Sequence, residues 1–181
     1  MEESTLKYWK DAGHVARRTL EAMKLELTPG KTFHEVIEAA ERYIHRHGGK
    51  PAFPGTIAVN DLAAHFTTDH AINQVEGWDG EMVLQKGDCV KIDFGVHIKG
   101  HIADNALTFE IGNGNEHTEQ IKAAKEARDA AIEMMHPGTP WYKVGQAAAQ
   151  PSLDAGFQPI RNLCGHQLKP WDLHAGVSVP S

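Results

Sequence analysis

The sequence predicts an α+β fold, on three observations. A helix–turn–helix–strand unit occurs twice at an offset of 108 residues, and a β-rich pattern with one glycine-bearing turn spans residues 90–110. The composition, 41% hydrophobic and 23% charged over 181 residues, is that of a globular chain long enough for one domain with a sizeable core.

The repeat emerges when TPGKTFHEVIEAAERYIHRHGGKP, from Thr28, is laid over HPGTPWYKVGQAAAQPSLDAGFQP, from His136. Pro29 falls on Pro137, Gly30 on Gly138, Val36 on Val144, Ala39 and Ala40 on Ala147 and Ala148, Gly48 on Gly156 and Pro51 on Pro159. An amphipathic helix precedes each copy, roughly over residues 5–26 and 117–135. Pro-Gly ends that helix, and Gly48 and Gly156 are placed as C-terminal caps of the next. Duplication explains this order and spacing better than chance alignment of alanine-rich helices. Pro151 departs from the pattern and is expected to kink or end the second copy's second helix.

The hairpin reads Val90–Ile98 and His101–Glu110, turning at Lys99-Gly100, where glycine tolerates positive φ. With that turn Gly95 lies opposite Asp104, and Asp93, two residues from Gly95, shares its face. The two carboxylates are then diagonal neighbours, roughly 7–8 Å apart at the backbone. Such a pair is either two solvated aspartates on the wet face of a sheet or a site where a cation, or a pair of cations, relieves their repulsion.

Composition also excludes function classes. No apolar run approaches membrane-spanning length, and MEESTLKYWKDAGHVARR lacks the apolar core and cleavage site of a signal peptide, so a cytoplasmic location is the default. Cys89 and Cys164 form no CxxC pair and read as small buried hydrophobes. A net charge of -6 without a basic run argues against nucleic acid as the main partner. Of the 12 histidines, His45 and His47 suit a helix C-terminus. His97 and His101 flank the hairpin turn, where solvated side chains are the simpler reading than metal ligands.

The segments GGKPAFP, AAHFT, LQKGDCVKIDFGVHIKGHIADNALTF, NLCGHQL and LHAGVSVP resemble, in order and spacing, the N-terminal two thirds of methionine aminopeptidases of the type 2, archaeal-like branch. The weakest stretch is residues 69–82, which reads as a short insertion with Gly77, Trp78 and Gly80.

The resemblance implies a pita-bread fold. Residues 1–181 would form the N-terminal part of a single catalytic domain, with pseudo-repeats 1–112 and 113–181, the first half complete and the second truncated. It implies two divalent ions (Co, Mn, Fe or Zn) held by Asp93, Asp104 and His166, with two further glutamates expected beyond Ser181. His65 would help seat the substrate, and His174 would hydrogen-bond the scissile peptide and its developing oxyanion. Phe53 and Ile57, with Pro54, would line the pocket for the methionine side chain. Asn105 stands where the family more often has a small hydroxyl residue.

The implied activity is metal-dependent removal of the N-terminal methionine from nascent polypeptides, with the ribosome as one setting. Neither a membrane nor a direct nucleic-acid contact is expected. With two of its ligands outside the sequence, the 181-residue chain by itself is expected to bind at most one metal, weakly, and to show little or no turnover. The alternatives are an Xaa-Pro-type dipeptidase with the same metal shell, or a non-enzymatic pita-bread module that binds protein or RNA.

Overall fold

A computed structural model describes residues 3–68, 82–112 and 114–180; nearly all of the expected insertion, including Trp78, lies outside the described residues. The chain divides into two compact units, Met1–Gly114 and Asn115–Ser181.

In the first unit, helix α1 (Glu3–Glu26) buries Ala12, Val15, Ala16, Thr19 and Met23, a stripe at intervals of three and four that selects one helix face. Thr19 is polar yet fully buried, and its hydroxyl donates to the Val15 carbonyl at 2.9 Å. Helix α2 (Phe33–Arg46) starts on a reciprocal cap. The Thr32 side chain accepts from the Glu35 N–H, and the Glu35 carboxylate accepts from the Thr32 N–H. Those hydrogen bonds hold the Glu35 carboxyl below its ordinary pKa. Phe33, Val36, Ile37, Ala40 and Ile44 form its buried stripe.

Strands β1 (Lys50–Pro51), β2 (Thr56–Val59), β3 (Cys89–Ile98) and β4 (His101–Glu110) form one sheet with β3 at its centre. β4 runs antiparallel along one edge of β3 over its whole length, while β1 and β2 share the other edge, pairing with residues 96–97 and 90–93. Val90, Ile92, Phe94 and Val96 alternate onto the face that joins the helices in the hydrophobic core, as strand periodicity requires. Burying each such side chain contributes about 1.5–3 kcal/mol.

The expected hairpin register is the one observed, with Gly95 opposite Asp104, and the first strand begins one residue earlier than expected. Lys99 and Gly100 both have positive φ, 50° and 85°, the geometry of a two-residue turn whose twist matches the strands.

His101 is not solvated. It is only 9% exposed and packs 5.3 Å from the rings of both Tyr8 and Trp9 on α1, because its register position puts it on the helix-covered face.

In the second unit, helices α3 (Thr118–Met134) and α4 (Trp141–Asp154) are followed by the two-stranded sheet β5 (Cys164–His166) and β6 (Ser178–Pro180). Gly145 of α4 lies so close to Pro180 that a Cβ there would collide with the Pro180 backbone, which fixes the seat of β6 on the helix.

Pro151 does not end α4, which runs on to Asp154. Its missing N–H falls near the helix end, and its own carbonyl still accepts from Ala155 at 3.1 Å. Cys164 is exposed rather than the small buried hydrophobe expected, and Cys89 is half-buried; burial, then the Glu110 charge, pushes the Cys89 thiol up.

The offset of 108 recurs in backbone geometry. Thr28 N–H donates to Glu26 and Lys31 to Thr28, as His136 donates to Met134 and Thr139 to His136. Gly48 donates to His45 as Gly156 donates to Leu153, both glycines at φ 82°, a conformation that a Cβ disfavours. Burial recurs only in part: Val36 and Val144 are both fully buried, but other pairs differ. Phe33 is 2% exposed and its counterpart Trp141 44%; Leu27 is 7% exposed and its counterpart Met135 48%.

Candidate metal and peptide site

The β3–β4 ladder sets the first unit's contribution. Asp93 pairs with Ala106 and Gly95 with Asp104, so the two carboxylates sit diagonally on the sheet face opposite the helices. Lys91 and Thr108 share that face, and Thr56 of β2 is the cross-strand neighbour of Asp93. Both aspartates are half-buried, and the Asp93 Oδ1 oxygen is shut off from solvent. A carboxylate in that position needs positive charge or donors near it.

Two hard oxygen donors on one face suit a divalent cation, so the residues present fit such an ion. Among the described residues, no group of three or more His, Cys, Asp or Glu side chains is arranged to hold a metal.

Phe53 belongs to the same face. The chain leaves the sheet edge between Pro51 and Thr56, tied there by the Ala52 N–H donating to Gly95 at 2.9 Å, and the Phe53 ring lands on Gly95. Ile57 does not join it. This side chain is fully buried in the hydrophobic core, because pairing with Ile92 puts it on the helix side of the sheet, so it cannot line a substrate pocket. Pro54 instead borders a cleft of about 360 Å³ with His34, Glu38, Glu41 and Thr68, which neither aspartate lines.

His65 is exposed on the loop after β2. Phe66 anchors that loop: its carbonyl accepts from Ile57 at 2.8 Å, and its ring meets Phe33 edge-on at 6.4 Å. His65 itself has φ 60°, an uncommon conformation for a residue with a Cβ.

His97, at the far end of the aspartate face, accepts from the Gly100 N–H through Nδ1 at 3.3 Å. Burial and then the Lys50 charge hold its pKa below the ordinary value.

The second unit brings His166 and His174 together, with ring centroids 4.4 Å apart. His166 pairs with Ser178 in the β5–β6 ladder, and the connecting loop folds back through hydrogen bonds from Gln167 to Val177 and from Ala175 to Gln167. His166 is half-buried, with Nδ1 shut off from solvent, while His174 is exposed. Asp93, Asp104 and Phe53 thus share one face of the first unit, and the histidine pair forms in the second.

Gly95 and Thr56 were not among the expected site residues. A glycine inside a strand pattern marks a close approach of other atoms, a signal present in the sequence.

The description of metallopeptidase family M24 matches residues 7–181. The chain belongs to metallopeptidase family M24. Among M24 relatives, the methionine aminopeptidase of Thermococcus onnurineus is 38% identical over 170 residues, covering 94% of this chain and 54% of that one. The methionine aminopeptidase of Methanothermus fervidus is 32% identical over 190 residues, covering 99% of this chain and 95% of that one. The chain spans about half the length of the first of these relatives.

Solved M24-like structures place the fold. A methionine aminopeptidase from Thermotoga maritima superposes with a TM-score of 0.86 at 24% identity, over 99% of this chain and 72% of that one. A prolidase from Pyrococcus furiosus gives 0.81 at 23% identity, over 98% and 51%. These are pita-bread proteins, and the α+β architecture described above is theirs. No described helix is long and apolar enough to cross a membrane.

Proposed function

We propose that this chain carries the amino-terminal part of a methionine aminopeptidase site, which cleaves the peptide bond after an N-terminal methionine with the help of divalent metal. The observation that carries the reading is the register that sets Asp93 and Asp104 diagonally on the sheet face opposite the helices. The relatives named methionine aminopeptidase support this choice of substrate.

In this reading Asp93, Asp104 and His166 hold the metal, two ions of the Mn, Fe, Co or Zn type when the ligand set is complete. Such ions make a bound water acidic enough to act as a nucleophile near neutral pH. The aspartates contribute negative charge that orients and retains the cations. His174, exposed and able to donate from its ring, hydrogen-bonds the peptide carbonyl where negative charge develops. His65 seats the peptide from its constrained loop, and the Phe53 ring contacts the methionine side chain. The substrates are the N-termini of nascent polypeptides, met in the cytoplasm and at the ribosome.

Mixing the purified chain with a Met-Ala-Ser peptide and an Ala-Pro dipeptide, with and without Mn²⁺ or Co²⁺, tests the reading. Metal-dependent release of free methionine, even at a low rate, supports it. Metal-dependent cleavage of the proline peptide alone would replace it with the dipeptidase reading.

A further inference from the structure

Gly95 occupies the point of the aspartate face where a side chain would do most harm. A Cβ built on it would lie 2.7 Å from Phe53 Cδ1, closer still to Phe53 Cε1, and 2.9 Å from the Ala52 Cβ. Ordinary carbon contacts need about 3.5–4.0 Å, so even a methyl group would drive the ring off the sheet by roughly an ångström. The chain follows no strand between β1 and β2, and the Ala52 N–H to Gly95 carbonyl bond ties this stretch to that edge. Gly95 is also the cross-strand partner of Asp104 and lies two residues from Asp93 on the same face. A ring resting on it therefore stands beside both carboxylates.

We propose that Gly95 is a positioning residue: by presenting no side chain, it seats the Phe53 ring against the aspartate face, and the seated ring is the apolar wall that receives the side chain of the N-terminal residue. The inference rests on the reading above, in which the Phe53 ring contacts the methionine side chain, and adds to it the residue that holds the ring in place. Lifting the ring by roughly an ångström is comparable to a mismatched methylene in an apolar pocket, which costs roughly tenfold or more in discrimination.

Fluorine NMR of the whole chain carrying 4-fluorophenylalanine at position 53, with glycine at 95 and as Gly95→Ala, tests the seating. Each protein is titrated with MnCl2. In the parent the fluorine resonance is expected to be shielded from the H2O-to-D2O isotope shift and to broaden with Mn²⁺. In Gly95→Ala it is expected to move, to gain the solvent isotope shift and to broaden less. Identical resonance position and isotope shift in the two proteins would overturn the proposal.

If Mn²⁺ broadens neither resonance, the metal reading fails, while the resonance shift on substitution still upholds the seating. Should Gly95→Ala not fold, the double variant Gly95→Ala, Phe53→Ala removes the colliding ring. Recovery of a cooperative melt then supports the steric pairing, and failure to recover it overturns it.

Discussion

Gly95 and Asp104 are direct cross-strand partners in the β3–β4 ladder, and that pairing organises the first unit's candidate site. It fixes which way Asp93 points, because strand periodicity leaves a residue two positions away no choice of face. A slip of one residue would send both aspartates toward the helices and bring core side chains out, so the buried run Val90, Ile92, Phe94, Val96 is what enforces the placement of the carboxylates.

The unequal burial of repeat-related residues leads to the first prediction. Phe33→Ala removes a ring that is 2% exposed and is expected to cost about 3–5 kcal/mol. Trp141→Ala, at the equivalent position but 44% exposed, is expected to cost less than about 1 kcal/mol. Urea unfolding of the two variants checks the difference; equal costs would count against it.

His65 lends itself to separating stability from binding. At φ 60°, a β-branched side chain is strained, so His65→Val is expected to lose about 1–2 kcal/mol. Asn tolerates that conformation, and His65→Asn is expected to melt like the parent yet bind a Met-Ala-Ser peptide more weakly. Unchanged peptide binding in His65→Asn would remove His65 from the site.

The depressed pKa of His97 gives a pH signature. Its neutral form is favoured in the fold, by burial first and by Lys50 second, and its Nδ1 must stay unprotonated to accept from Gly100. As pH falls below the ordinary value of 6.5, the unfolded chain takes up the proton more readily than the fold. The stability tied to His97 is thus fully present above that pH and is lost as the pH falls through the lower folded value. Melting temperatures between pH 7.5 and 5 are expected to drop less in His97→Gln than in the parent; parallel curves would contradict this.

At the start of α2, Thr32→Ala breaks the reciprocal cap with Glu35 and is expected to cost about 1 kcal/mol, read by thermal melting. Pro140, the equivalent residue before α4, makes no side-chain cap, so Pro140→Ala should not repeat the loss through capping.

Much of this was legible in the sequence because it depends on local rules. Alternation and a Lys-Gly turn set the hairpin register and hence the aspartate pair. Pro-Gly and Gly at equal spacing marked helix ends that the backbone reproduces at Gly30, Gly48, Gly138 and Gly156. What was not legible depends on which side of the sheet the helices cover. That choice buried His101 against α1 and Ile57 in the core, though both were read as accessible. The seat of Phe53 on Gly95 is a contact across the sheet edge, which no periodicity within either segment encodes.

The claim on which the account rests is that Asp93 and Asp104 together hold divalent metal. Calorimetric titration of the 181-residue chain and its Asp104→Asn variant with MnCl2 tests it most directly. The parent is expected to take up Mn²⁺ weakly, and the variant, melting as the parent does, to bind at least about tenfold more weakly, a loss that even residues supporting a metal's ligands can produce. Equal Mn²⁺ affinity in the two proteins would contradict the assignment.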